Sequence, residues 1–281
     1  MNYKEFTVKI SSDAVENAGE ILIAELADFD FESFAEDEYE LKAYIPVAHY
    51  KVQERSIINF LSVNGYEYKI TEINDDVNWN AEWESNFDPI DVNGQCYIRA
   101  PFHNDVKGCK YIVTIMPKMS FGTGHHATTH LMIEGITDSD IKNRSGLDMG
   151  SGTGVLAILA VKAGAMWMDA IDIDEWAYEN CKENIELNRT SENINVFLGD
   201  AGLLAEPGKY DFILANINRN ILLADMDKYS VSIKPGGELF LSGFLDIDSE
   251  VIRKKAEENG FVFVDEKHRN GWCMLKFKKT I

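Results

Sequence analysis

The chain has 281 residues, of which 45% are apolar, and its 47 acidic and 27 basic residues give a formal net charge of −20. The apolar content is sufficient for folded cores, which excludes general disorder, and the length favours two domains. A strongly acidic chain is a poor direct partner for nucleic acid, whose phosphates need basic patches, and it attracts basic protein partners instead.

The sequence contains no apolar run long enough to span a membrane, and its first residues lack the apolar segment of a secretory signal. The four cysteines at positions 96, 109, 181 and 273 form neither a CxxC pair nor a zinc-binding spacing. We therefore expect reduced thiols, a cytoplasmic monomer and no metal site.

Residues 1–75 predict a small domain whose elements follow the order β-α-β-β-α-β, which is that of the ferredoxin-like unit. The predicted strands lie at 6–10, around Phe29 and Phe31, at 39–45 and at 66–73, with one helix from about Asp13 and a second that includes Val52. Because this segment holds 16 acidic and 6 basic residues but no catalytic cluster, we interpret it as a substrate-recognition module.

Residues 76–92 are polar and aromatic, and Trp79, Trp83 and Phe87 stand four residues apart. This spacing predicts a short linker helix with one aromatic face. Packing is the expected role of that face, and contact with the substrate is the alternative.

Two strands are predicted next, at 96–99 and 111–115, and a loop with two glycines follows at 121–129. Thr128 or Thr129 can cap a helix that begins near His130. The loop can also fold over a ligand, so Phe121 and Thr123 are candidate cofactor-binding residues.

A glycine-rich turn follows a short apolar run and leads directly into a helical pattern, with glycines at Gly150, Gly152 and Gly154. A strand, such a turn and a helix open the cofactor crevice of a doubly wound α/β domain. The spacing is GxGxG, whereas dinucleotide-binding turns have GxGxxG, so the turn suits an adenosine ligand without a pyrophosphate. Asp172 ends the next predicted strand, where an acid can bind both ribose hydroxyls.

The rest of the chain alternates between helices and strands as a doubly wound sheet requires. The predicted elements are a helix at 175–188, a strand at 194–198, a strand at 210–217, a helix at 220–233, a turn at 234–237, a strand at 238–242, a helix at 246–259, and an antiparallel pair of strands at 261–264 and 273–277. Asn216 falls at the carboxyl end of its strand, where crevice residues belong.

The loop pattern FGTGxHxTT, followed some twenty residues later by D-x-G-x-G-x-G, resembles the ribosomal protein methyltransferases of the PrmA type. The resemblance covers the whole chain and implies a ferredoxin-like recognition domain at 1–75, a linker at 76–92 and a class I methyltransferase domain at 93–281. It also implies that the chain transfers methyl groups from S-adenosylmethionine to amino groups of large-subunit ribosomal protein eleven, a basic partner.

The resemblance assigns S-adenosylmethionine binding to Thr129, Gly150, Asp172 and Asn216, and Gly152 belongs to the same turn. Asp200 stands where class I enzymes often contact the adenine amino group, and a solvated strand end is the alternative role for it. Met149 and Ser151 replace residues that are usual in the family, and both changes are conservative.

Methyl transfer to an amine requires a neutral nitrogen, and lysine has a reference pKa of ~10.4, so a proton must leave first. Asn216 carries a carbonyl that can accept an amine N–H and aim its lone pair. The sequence continues Ile217-Asn218-Arg219, where enzymes that methylate planar amides or bases carry N-P-P-Y, so a flexible amine is favoured. His125 and His126 are candidate bases, although packing or polar surface is the commoner role of such a pair.

Two alternatives share features with this hypothesis. A class I N-methyltransferase that acts on another protein or on a small amine would keep the same crevice. A binding scaffold with a vestigial pocket would be expected to have lost Gly150, Gly152, Asp172 or Asn216, all of which are present. A nicotinamide-dependent dehydrogenase is disfavoured because it needs the GxGxxG spacing.

Overall fold

The computed structural model describes residues 3–10, 22–23, 25–26, 29–31, 33–37, 40–73, 88–104, 108–116 and 126–280. The chain divides into two units, Met1–Asn86 and Phe87–Ile281. The domain boundaries predicted at 75 and 92 fall on either side of this division and stay predictions.

Four antiparallel strands form the sheet of the first unit, in the spatial order β2-β3-β1-β4. They are β1 (Tyr3–Lys9), β2 (Ser33–Asp37), β3 (Glu40–Pro46) and β4 (Tyr68–Ile73), and helix α1 (Val47–Val63) connects the last two. Residues 22–23 and 25–26 are also helical, and Leu22 and Leu26 pack with Phe6 and Leu61 in the core. The described elements follow the chain order predicted for a ferredoxin-like unit.

Two details of this unit differ from the sequence prediction. Phe29 and Phe31 precede the second strand, which begins at Ser33; they pack from the preceding turn against Phe60 and Phe6, with ring centroids 5.4 and 5.2 Å apart. The second helix begins five residues before Val52, whose side chain is 85% exposed and not part of the apolar face.

The described residues of the second unit form two sheets. Strands β5 (Ile90–Val92), β6 (Cys96–Arg99) and β7 (Tyr111–Thr114) form the smaller sheet, in chain order. The predicted linker helix therefore does not reach residue 92, because 90–92 are paired as a strand. Trp79, Trp83 and Phe87 lie outside the described residues.

Seven strands form the larger sheet: β8 (Ser145–Met149), β9 (Trp167–Asp172), β10 (Ile194–Leu198), β11 (Tyr210–Asn216), β12 (Ile233–Leu245), β13 (Phe261–Arg269) and β14 (Trp272–Lys279). The helices between and before them are α2 (Ala127–Thr137), α3 (Val155–Lys162), α4 (Glu175–Leu187), α5 (Arg219–Ser232) and α6 (Ser249–Glu258). The turn predicted at 234–237 interrupts β12, whose pairing with β11 jumps from Ile233 to Glu238.

The order of the large sheet is β10-β9-β8-β11-β12-β14-β13. Strands β8 to β12 are parallel, and β14 is antiparallel to both of its neighbours, as predicted for the closing pair. The chain moves outward from β8 to β10 and then returns to β11 on the other side of β8. The topological switch point, where open α/β sheets bind ligands, therefore lies at the carboxyl ends of β8 and β11.

One apolar cluster covers each face of the large sheet. The first gathers helices α2, α3 and α4 with the small sheet, around residues such as Leu131, Ile158 and Phe240, and the second gathers α5 and α6 around Tyr229 and Phe277. Within the described residues, no helix combines the length and apolarity needed to cross a membrane.

Candidate functional site

The glycine-rich turn occupies the switch point, with predicted site residues on both sides. Met149 pairs with Ile171 of β9 and with Ala215 of β11, so Asp172 and Asn216, one residue further along their strands, flank Gly150. The parallel sheet thus brings together three positions that are far apart in the sequence.

The turn needs glycine for conformation and for space. Gly150, Gly152 and Gly154 have φ angles of 71°, 52° and 78°, in the left-handed region. A Cβ at Gly150 would lie 2.1 Å from Cγ2 of Ile217, and one at Gly154 would lie 2.6 Å from Sγ of Cys181. The backbone of the turn therefore packs closely against Ile217, which follows β11, and against Cys181 of α4.

Asp172 is half-buried, and backbone donors hold its carboxylate. Oδ2 accepts from the N–H of Gly152 at 2.8 Å, and Oδ1 accepts from the N–H of Asp174 at 3.0 Å. Each carboxylate oxygen has a second lone pair. The side chain is thus fixed beside the turn and can accept two further hydrogen bonds, as a ribose diol would supply.

Asp148, which sequence reasoning passed over, lies beneath the turn. Its Oδ2 accepts from the N–H of Ala157 at 3.1 Å and so caps α3, whose N-cap Gly154 has no side chain. Burial raises the pKa of this carboxyl to about 8; the hydrogen bond from Ala157 opposes the rise, and the charge of Asp172 adds to it. At neutral pH the group therefore tends to hold its proton.

Two buried polar atoms around the turn have no hydrogen-bond partner among the described residues. They are Oδ1 of Asp148 and Oδ1 of Asn216, whereas the nearby Ser151 interacts with the thiol of Cys181. An unpaired buried polar group costs roughly 1–3 kcal/mol, and such groups usually mark a bound ligand or water. Their concentration at the switch point indicates a polar ligand site.

The amide of Asn216 makes one long hydrogen bond. Its Nδ2 donates to Oγ1 of the buried Thr129 at 3.5 Å, the limit of hydrogen-bond distance, and its carbonyl oxygen has no partner among the described residues. The next residues fix the backbone, since the N–H of Ile217 donates to the carbonyl of Ser242 at 3.1 Å and Asn218 caps α5 through the N–H of Ile221. The structure therefore brings together Thr129 and Asn216, as the proposed site requires.

His126 begins helix α2 as its N-cap, so the expectation that Thr128 or Thr129 would cap a helix starting near His130 is wrong. Nδ1 of His126 lies 2.7 Å from Oγ1 of Thr128 and accepts from the N–H of the same residue at 3.3 Å. Its ring stands edge-on to Trp272, with centroids 4.5 Å apart. This nitrogen is therefore engaged in helix capping.

Asp200 follows β10, next to the end of β9, because Leu198 pairs with Asp172. Its Oδ1 caps a short 3₁₀ turn by accepting from the N–H of Gly202 at 2.7 Å, and its side chain is exposed. Phe121, Thr123 and His125 lie outside the described residues. In the part of the chain that the structure describes, no group of three His, Cys, Asp or Glu side chains could hold a metal ion.

A row of asparagines ties the turn to the strand that leads toward residues 117–125. Asn184 donates to the carbonyl of Thr153 at 2.9 Å and accepts from the N–H of Met116 at 2.7 Å. Asn188 donates to the carbonyl of Thr114 and accepts from the N–H of the same residue. Sequence reasoning missed these residues, although asparagines at 180, 184 and 188 occupy one face of a predicted helix.

Comparison with known proteins identifies the family to which the chain belongs. A model of the family described as ribosomal protein L11 methyltransferase (PrmA) matches residues 2–280. The chain is 45% identical over 284 residues to a protein of Bacteroides thetaiotaomicron named ribosomal protein L11 methyltransferase, with 99% of each chain covered. A protein of the same name from Chlorobaculum tepidum is 35% identical, with 96% of this chain and 94% of that one covered.

A solved structure agrees with these sequence matches. It is that of a ribosomal protein L11 methylase from Lactobacillus delbrueckii subsp. bulgaricus, with a TM-score of 0.63 and 27% identity, and the match covers 69% of this chain and 100% of that one. The matches confirm the resemblance that the loop and turn motifs indicated, and the chain belongs to the ribosomal protein L11 methyltransferase family.

Proposed function

We propose that the chain transfers methyl groups from S-adenosylmethionine to amino groups of ribosomal protein L11, lysine side chains foremost. Family membership supports the substrate, and the crevice beside Gly150 supports the cofactor. The observation that carries the chemistry is the unpaired carbonyl oxygen of Asn216, beside Thr129 at the switch point.

The residues around the turn fit the cofactor. We assign the ribose hydroxyls to the two free lone pairs of Asp172, and the amino-acid end of the cofactor to the unpaired atom of Asp148 with the hydroxyls of Ser151 and Thr129. The exposed Asp200 is our candidate for the adenine amino group. S-adenosylmethionine supplies a methyl group carried on a sulfonium, which is electrophilic enough for direct transfer to an amine.

Asn216 positions the attacking amine. An amide does not titrate in the working pH range, so this side chain can accept an N–H bond and orient the nitrogen but cannot remove its proton. A lysine ammonium loses its proton more readily when it leaves water, because burial disfavours the charged form. We assign the proton to solvent, since Nδ1 of His126 is engaged in capping α2.

We further propose that residues 1–75 select the substrate. Their net charge suits a basic ribosomal protein, and the unit they form has its own core. The same charge argues against direct contact with nucleic acid. We place the enzyme in the cytoplasm, where ribosomal proteins are made, and we propose that it acts as a monomer.

Incubation with labelled S-adenosylmethionine and undermethylated large-subunit ribosomal proteins, followed by intact mass, tests this function. We expect label in L11, in steps of one methyl group. Label confined to another protein or to a small amine would favour the alternative of a class I N-methyltransferase with a different substrate. Absence of any transfer would contradict the proposal.

A further inference from the structure

Four exposed apolar side chains lie in the segments that follow the carboxyl ends of β11 and β12, the strand ends at which Asn216 stands. They are Ile221, Leu245, Ile247 and Val251, which we call the apolar rim. They come from the first turn of α5, the end of β12, the 3₁₀ turn Asp246–Asp248 and the first turn of α6. Single exposed apolar residues are common on protein surfaces, whereas a group of them beside a reactive site marks an interaction surface.

The centre of the apolar rim is Ile247, whose side chain is 85% exposed. The acid on each side of it is anchored. Oδ1 of Asp246 lies 2.8 Å from Nδ1 of His268, and its N–H donates to the carbonyl of Gly271 at 2.9 Å. Oδ1 of Asp248 pairs with Nη1 of Arg219 at 2.6 Å. These contacts hold the backbone on both sides of Ile247, which reduces the entropy lost when its exposed side chain binds a partner.

The anchors also connect the apolar rim to the reactive site. Arg219 is three residues beyond Asn216, and Leu245 is three residues beyond Ser242, the partner of Asn216 across the sheet. A chain segment that covers the rim would therefore lie next to the amine that Asn216 is proposed to orient.

Acidic groups frame the apolar rim. Asp246, Asp248 and Glu250 lie within five residues, and Glu266 lies 3.4 Å from Nε2 of His268. Arg219, His268 and the exposed Arg269 balance most of this charge, and the four acids exceed these three basic groups by one. A surface of this kind complements a segment with an apolar anchor and flanking lysines.

We propose that the apolar rim is the docking surface for the basic segment of the protein substrate that carries the target amine. The inference rests on the proposed function and adds a second recognition surface to it, in the methyltransferase unit itself. Burial of an isoleucine side chain is worth roughly 1.5–3 kcal/mol, so removal of the Ile247 side chain should weaken docking about tenfold or more.

The test uses the full chain with Ile247→Ser, Ile221→Ser and the double variant. Met166→Ser is the matched control, because Met166 is also exposed and apolar. It precedes β9 and so lies at the amino ends of the parallel strands, away from the carboxyl ends where the rim lies. We would measure KM and kcat for undermethylated L11, the Kd for S-adenosylmethionine by calorimetry, and the oligomeric state by sedimentation. We expect a KM about tenfold higher for Ile247→Ser and higher still for the double variant, with kcat, cofactor Kd and the control unchanged.

Three distinguishable outcomes would overturn the inference. An unchanged KM in active variants would show that the rim does not dock the substrate, and the proposed function would still stand. A change in self-association with an unchanged KM assigns the rim to a second copy of the chain. Failure of the unsubstituted chain to methylate L11 overturns the substrate and, with it, the occupant assigned to the rim.

Discussion

Replacement of Asp172 by alanine should raise the Kd for S-adenosylmethionine and leave the chain folded. Backbone N–H groups of Gly152 and Asp174 hold the two carboxylate oxygens at 2.8 and 3.0 Å, so both are aimed before any ligand arrives. Loss of two hydroxyl contacts to a charged acceptor is worth roughly 1–3 kcal/mol. At 1.4 kcal/mol for each factor of ten, the Kd should rise roughly 5- to 150-fold.

The assay is calorimetric titration of the full chain, with Asp174→Ala as matched control. Asp174 stands in the same loop, but its carboxylate caps α4 by accepting from the N–H of Ala177 at 2.9 Å. Its replacement should cost about 0.5–2 kcal/mol of stability and leave the cofactor Kd unchanged. Unchanged affinity in Asp172→Ala, or an equal loss in both variants, would refute a direct ribose contact.

Three further variants test other parts of the site. The folded chain holds the Asp148 proton up to pH about 8, whereas an unfolded aspartate releases it near pH ~3.9, so this group makes stability fall as pH rises between those values. Asp148→Asn should flatten that fall in chemical denaturation, and an unchanged slope would contradict the raised pKa. Asn184→Ala should weaken cofactor binding because it removes the bond from Asn184 to the carbonyl of Thr153 in the turn, whereas Asn188, which lacks that contact, should affect only stability when replaced by alanine. Equal cofactor Kd values in the two would show that the row is purely structural. His126→Ala should lose a cap, about 0.5–2 kcal/mol of stability, but keep its turnover; abolished turnover in a folded variant would identify His126 as the base.

The main sheet was predictable because its strands are short apolar runs that end at turn signals. The GxGxG turn, Asp172 and Asn216 each end such a run, and parallel pairing places those ends at one edge. The ferredoxin-like order of the first unit followed for a similar reason, since β1 and β3 place buried residues at alternate positions.

What the sequence could not show depends on contacts between distant segments. The pKa of Asp148 is raised because its strand is covered on both faces. This burial is visible only in the folded chain. His126 caps α2 because its ring reaches the N–H of Thr128, whereas residue preference favoured Thr128 or Thr129 as the cap. Arg219 and Asp248 meet only when α5 and the turn after β12 are packed side by side.

The central claim is that Asn216 positions the amine for methyl transfer, and single-turnover kinetics of Asn216→Ala tests it most directly. With L11 and saturating S-adenosylmethionine, the rate of methyl transfer should fall roughly 100-fold, because a misplaced nucleophile loses that much. The cofactor Kd should rise much less than that, since the lost contact matters most during transfer. An unchanged transfer rate in a folded variant that binds the cofactor would contradict the account.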